Sequence, residues 1–137
     1  LHRLFAGERA GASEPVTAAD RAILRQLRPE PPVAAGVLAA EAGATSMIDV
    51  SDGLALDATR IADASGVTLD LDPSVAGVLG AAEDHALLAT FPATPPRAFV
   101  PIGRVVARAA APLLLDGAPV AAAPGWDPFR AAGAALA

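Results

Sequence analysis

The spacing of hydrophobic positions changes several times along the chain, and each change marks a predicted element. Leu1, Leu4 and Phe5 recur at helical spacing, and a loop from Gly7 to Pro15 follows. Ile23, Leu24 and Leu27 then share one face of a helix capped by Thr17 and stopped by Pro29. Pro31-Pro32 opens a small-residue helix to about Ala42, with Val33, Val37 and Leu38 as its apolar side and Gly43 as its stop. Thr45 to Val50 reads as a short buried strand, and Asp52 to about Ala64 as an amphipathic helix with Leu54, Ala58, Ile61 and Ala62 inward. Ser65-Gly66 ends that helix. Alternation over Val67 to Leu71 predicts a strand with Val67, Leu69 and Leu71 inward and Thr68, Asp70 and Asp72 outward. After a Pro73 to Gly80 connection, Ala86 to Phe91 and Phe99 to Val106 are further predicted strands. Pro112 to Leu115 and Ala118 to Ala121 flank an Asp116-Gly117 hairpin turn. With most helix early and most strand late, the pattern predicts an α/β (α+β) domain, helices packed with a sheet.

Composition narrows the chemistry. The 137 residues suit one ordinary domain, and a chain of that length buries roughly two-thirds of its unfolded surface. Hydrophobic residues make up 53%, but much of this is alanine and aromatics are only 4%, so the core is small and aliphatic. There is no cysteine, which excludes disulfides, thiolate zinc sites and a cysteine nucleophile. The net charge of −5 argues against a nucleic-acid grip, which needs clustered basic charge. Every basic residue is arginine, which excludes a P-loop lysine and a Schiff-base lysine. No uncharged stretch reaches the roughly 18 residues of a membrane span. Arg3, Glu8 and Arg9 break any signal-peptide pattern, so no membrane partner and a cytoplasmic location are expected. A start at Leu1 rather than Met suggests part of something longer.

Met47-Ile48-Asp49-Val50-Ser51-Asp52-Gly53-Leu54 is the strongest chemical feature. It sets two carboxylates three residues apart where a strand gives way to a helix. There, helix-start N–H groups and the Ser51 hydroxyl can meet phosphate oxygens, Asp49 and Asp52 can hold Mg²⁺ through oxygen, and Gly53 can let a ligand approach. The plainer reading makes Ser51 or Asp52 a helix cap and leaves Asp49 solvated. Glu83-Asp84, after the small run Gly80-Ala81-Ala82, is either a carboxylate pair beside a close approach or an exposed turn. His85 is an acid–base candidate or a packing residue. Trp126, in Gly125-Trp126-Asp127-Pro128-Phe129, either lies on a ligand ring or pins the C-terminus. Asp70 and Asp72 could pair on a metal, but with no third ligand a solvated edge is the better reading. A dehalogenase-type D-x-D motif fails because Asp52 falls one position late, and an EF-hand fails because Arg60 stands where its glutamate belongs.

In order along the chain, these residues resemble the C-terminal half of the thiamine-monophosphate kinases, relatives of aminoimidazole ribonucleotide synthetase. The resemblance runs from about residue 28 to 130. It includes Arg28-Pro29-Glu30-Pro31, Ala44 through Leu54, Ala62-Asp63-Ala64-Ser65-Gly66-Val67 and Glu83-Asp84-His85-Ala86-Leu87-Leu88. It continues through Ile102-Gly103-Arg104-Val105 and Gly125 through Phe129. The D-[IV]-S-D-G-L segment is the most specific piece. The resemblance implies the C-terminal domain of the synthetase-like fold over residues 31–137, a mixed sheet packed with helices. Residues 1–30 would be a helical lead-in from a missing N-terminal domain. It implies ATP-dependent phosphorylation of thiamine monophosphate to thiamine diphosphate, by Mg²⁺-assisted in-line transfer. Asp49 and Asp52 would be metal ligands, Ser51 would contact ATP, and Glu83 and Trp126 would contact the thiamine moiety. A homodimer is implied for the complete enzyme, and inactivity for this part alone. Ala81-Ala82 stand where the family carries Gly-Gly, and the Asp72-to-Glu83 connection is shorter. Both departures leave room for an alternative, a non-catalytic ligand- or partner-binding domain derived from such a kinase.

Overall fold

A computed structural model describes residues 27, 30–80, 85–120 and 125. The predicted N-terminal helices before Glu30 thus lie outside the described residues, Leu27 excepted. Helix α1 (Val33–Glu41) leads to strand β1 (Ser46–Val50), helix α2 (Leu54–Ser65) and strand β2 (Val67–Leu71). A 3₁₀ helix (Pro73–Val78) follows, then β3 (Ala86–Thr90), β4 (Gly103–Ala107), β5 (Leu113–Leu115) and β6 (Ala118–Pro119). The α+β class and most predicted elements are present.

The strands form two sheets. β1 and β3 pair antiparallel, Ser46 opposite Thr90 and Val50 opposite Ala86. The other sheet has the order β4-β2-β5-β6, with β2 antiparallel to β4 and parallel to β5, so it is mixed. Helix α2 packs on β1, β2 and β5 and so ties the two sheets together. Its inner face, Leu54, Ala58, Ile61 and Ala62, is buried as the spacing predicts. These side chains join Val50 and Leu88 from the smaller sheet and Leu69, Leu71 and Leu113 from the larger in one core. Ala55, Ala58 and Ala62 are fully buried, and side chains this small let the helix lie close to both sheets. Gly66 ends α2 in the left-handed conformation at φ 64°, a stop that glycine adopts without steric cost.

Four expectations are corrected by packing. β2 is not a half-exposed strand: it lies between β4 and β5, and Thr68 and Asp70 are buried like its apolar residues. Thr68 Oγ1 donates to the Ala111 carbonyl at 2.8 Å and accepts from the Ala109 N–H at 2.9 Å. Asp70 accepts from the Gly117 N–H at 2.9 Å and from Arg104 Nη2 at 2.6 Å. Both polar side chains therefore fasten loops to the sheet, and Asp70 is neither a solvated edge nor half of a metal pair. β1 is buried on one side only: Ile48 and Val50 face inward while Met47 and Asp49 are exposed. On α1 the predicted apolar side is also outside, with Val33, Val37 and Leu38 exposed and Ala39 buried. Its Gly36 faces Leu87 and Met47, so small residues make that contact.

The predicted fourth strand begins later, at Gly103. A Cβ there would sit 2.8 Å from the Leu71 Cα, so the close approach of β4 to β2 requires glycine. Phe99 instead stands edge-on to Phe91, ring centroids 5.4 Å apart. In the short segment after β2, Val75 is the one residue of the 3₁₀ helix to reach the core. A cleft of about 920 Å³ remains between the sheets, lined by Val50, Leu54, Leu71, Val75 and Phe99 among others. No helix among the described residues is long and apolar enough to cross a membrane.

Two outcomes follow from the polar residues of β2. Thr68→Val keeps the shape but strips a partner from the Ala109 N–H and the Ala111 carbonyl. It is expected to cost about 1–3 kcal/mol of stability in urea denaturation; no loss would show that water replaces the hydroxyl freely. The Gly117 N–H, followed by Arg104, holds the Asp70 carboxyl below the usual carboxylate range. A folded-state pKa below the unfolded one means that this stability is complete above the unfolded value, about 3.9. It is lost as pH falls through the lower folded value. Asp70→Asn is therefore expected to be less stable at neutral pH and to show a flatter acid limb in denaturation midpoint against pH. An acid limb of unchanged steepness would contradict this.

Candidate functional site

Strand β1 hands over to α2 through Ser51, Asp52 and Gly53, so the predicted D-V-S-D-G-L loop stands at the seam between the two sheets. Gly53 has φ 129° and ψ 140°, a conformation that L side chains rarely adopt. A Cβ on it would lie 2.8 Å from the Gly80 carbonyl oxygen and 3.1 Å from the Gly125 Cα. A Cβ on Gly125 would in turn lie 2.6 Å from the Asp52 carbonyl oxygen. Three backbone segments far apart in sequence thus close on one another at the start of α2. Gly53 is needed for the chain's own backbone here, which corrects the expectation that it leaves room for a ligand. Gly80 stands three residues before Glu83, and Gly125 immediately precedes Trp126. Glu83 and Trp126 themselves lie outside the described residues.

The loop is held by a residue that the sequence reading did not single out. Asp57, buried in the first turn of α2, accepts through Oδ2 from the backbone N–H of Ser51 and of Asp52, each at 3.1 Å. Its Oδ1 accepts from Arg60 Nη1 at 2.6 Å. The same Nη1 donates to Asp52 Oδ2 at 2.5 Å. Asp57 therefore takes the Ser51 and Asp52 amides, which precede the helix. The Ala55 N–H is taken too, by the Leu79 carbonyl at 3.0 Å. Nor does Ser51 or Asp52 cap the helix: the cap position is Gly53, and no side chain bonds there. A signal for Asp57 was present, an acid beside the inward stripe of Leu54, Ala58 and Ile61 with Arg60 three residues on, the spacing at which helical side chains meet.

The candidate metal carboxylates are differently placed. Asp49 is exposed on the outer face of β1, opposite Leu87 in register. Asp52 is partly buried and paired with Arg60. Hydrogen bonding to Asp52, more than to Asp57, raises the Arg60 pKa above its ordinary value. The Ser51 hydroxyl belongs to a half-buried residue beside both aspartates in sequence. His85 is half-buried and enters β3 with φ 48°, a strained value for a non-glycine residue. Among the described residues, no three of Asp, Glu and His form a group able to hold a metal alone. Hard carboxylate oxygens nevertheless suit Mg²⁺, which is commonly held by one or two carboxylates, water and substrate phosphates rather than by an all-protein cage. The donor chemistry of Asp49 and Asp52 fits that mode.

No family model matches the chain. Thiamine-monophosphate kinases of two Mycobacterium tuberculosis strains are 38% identical to it over 125 residues, covering 77% of this chain and 37% of each relative. The thiamine-monophosphate kinase of Corynebacterium glutamicum is 39% identical over 89 residues, covering 51% of this chain and 27% of the relative. Among solved structures, AaThiL complexed with AMPPCP and TMP superposes with a TM-score of 0.66 at 25% identity, over 93% of this chain and 46% of that one. The chain thus spans little more than a third of the mycobacterial kinases and under half of AaThiL. In sequence and in fold, it corresponds to the C-terminal domain of the thiamine-monophosphate kinases.

Proposed function

We propose that this chain is the C-terminal part of an enzyme that phosphorylates thiamine monophosphate to thiamine diphosphate at the expense of ATP. The observation that carries the reading is the convergence at the start of α2. There the D-V-S-D-G-L loop meets Gly80, three residues before Glu83, and Gly125, the residue before Trp126. The kinase homologues and a neighbour complexed with AMPPCP and TMP support the same activity.

Asp49 and Asp52 would hold Mg²⁺, which supplies charge neutralisation on the transferring phosphoryl group. Phosphoryl transfer depends chiefly on positioning and electrostatics, so a loop of fixed carboxylates is better suited to it than a nucleophilic side chain. The Ser51 hydroxyl contacts ATP. Because Asp57 takes the Ser51 and Asp52 amides, this hydroxyl is the loop's remaining donor to a phosphate at those two residues. Glu83 and Trp126 bind the thiamine moiety, the carboxylate and the ring face both suiting a cationic aromatic group. A cation over a tryptophan face contributes roughly 0.5–2 kcal/mol. In this reading residues 1–30 lead in from an N-terminal domain that completes the site, residues 31–137 form the synthetase-like domain, and the complete enzyme is a cytoplasmic homodimer. The isolated chain is inactive.

A non-catalytic binding domain is the second reading. The pairing of Asp52 with Arg60 favours it.

Asp49→Ala and Asp52→Ala in the complete enzyme are each expected to lower ATP-dependent turnover of thiamine monophosphate by about 10²-fold or more, the scale of a lost metal contact. Unchanged turnover in both would refute the metal assignment. Calorimetric titration of the isolated chain with Mg²⁺-nucleotide and with thiamine monophosphate separates the two readings. Binding without turnover, once the chain is joined to an N-terminal half, would favour the non-catalytic domain.

A further inference from the structure

We propose that Arg60 is the built-in counter-ion of Asp52, and that it yields this carboxylate to a divalent cation while staying on Asp57. The inference rests on the reading of Asp52 as a metal ligand. One nitrogen, Nη1, bridges the two carboxylates at 2.5 Å to Asp52 Oδ2 and 2.6 Å to Asp57 Oδ1. The two ends of this bridge differ in environment. The Asp57 side chain is 1% exposed, so its charge needs the guanidinium and the two loop amides that compensate it. The Asp52 side chain is 23% exposed and Arg60 is 41% exposed, so water can solvate either when the bond between them opens.

A guanidinium and a divalent ion repel each other at a shared oxygen, so binding of the metal to Asp52 opens the wetter end of the bridge, where water can replace the lost partner. The Asp57 end persists, and the Ser51 and Asp52 amides stay pointed at it. Asp57 is then a positioning residue. It fixes the loop backbone whether or not the metal is bound, and Arg60 keeps the Asp52 carboxylate oriented and neutralised until the metal arrives. The loop is thereby preformed around a cation, and metal binding exchanges one positive partner for another without refolding the turn.

The test is a titration of the full chain with Mn²⁺ alone, followed by paramagnetic broadening of backbone amide signals and by the Arg60 Nε–H resonance. In the unsubstituted chain the Ser51 to Gly53 amides are expected to broaden, and the Arg60 resonance to shift as its bond to Asp52 opens. Arg60→Gln removes the competitor and is expected to lower the Mn²⁺ concentration at half-broadening by about threefold, the size of an exposed ion pair. Arg60→Lys, which keeps a cation at the position, is expected to restore the original midpoint. Arg108→Gln carries the same charge change but breaks the remote pair with Asp63, and is expected to leave the midpoint nearly unmoved. If Asp52→Asn abolishes the broadening but Arg60→Gln leaves the midpoint unchanged or raises it, the counter-ion role is wrong and the metal ligand stands. If the loop broadens equally in Asp52→Asn, or does not broaden in any variant, Asp52 is not a ligand, and both readings fall.

Discussion

A single buried carboxylate governs the site. Asp57 lies inside the first turn of α2, and its two oxygens receive the amides of Ser51 and Asp52 and the guanidinium of Arg60. A buried anion is tolerable only when donors replace the water it has lost. Those donors are the backbone of the loop that joins β1 to α2, so the path of the loop and the solvation of Asp57 are one problem with one solution. No side chain caps the helix at Gly53. Asp57 reaches back instead to amides that precede the cap, while the Ala55 N–H of the first turn is met by the Leu79 carbonyl.

That arrangement changes the chemical character of the loop. A helix start with free amides invites an anion. Here the amides of Ser51 and Asp52 already serve a carboxylate, and Asp49 and Asp52 add further negative charge nearby in sequence. The loop is thus adapted to a cation, with Arg60 as the positive charge already present. Under the proposed function, contact with a phosphate would fall to the Ser51 hydroxyl and to a cation held by the aspartates, in keeping with a transfer that depends on charge neutralisation more than on covalent participation.

The frame around the loop depends on small residues. Fully buried alanines let α2 lie against strands of both sheets, and Gly53 and Gly125 let three backbone segments meet where their side chains would collide. Polar residues complete the frame. Thr68 and Asp70 look outward by alternation, but both are spent on loops that fold over β2. A core with few aromatics gains its rigidity in part from such fixed hydrogen bonds.

Much of this was legible in the residue pattern. Alternation over Val67–Leu71, the inward stripe of α2, the Gly66 stop and the Asp116-Gly117 turn each depend on local periodicity or backbone freedom, which neighbours in sequence determine. The carboxylate loop and its place between a strand and a helix were legible for the same reason, as was the resemblance to the kinase family. What lies on the far side of an element depends on elements distant in the chain, and that was decided only by tertiary structure. Thr68 and Asp70 are buried because β4, β5 and the segment after Arg108 enclose them. Val33, Val37 and Leu38 remain exposed because small residues of α1 face the sheet instead. Gly53 serves the backbone of Gly80 and Gly125, and Asp57 takes the amides of Ser51 and Asp52. Sequence by itself determined which carboxylates are candidates for a metal and where the chain turns. The three-dimensional fold decided which donors and charges remain free to act, because a hydrogen bond already satisfied within the protein is not available to a substrate.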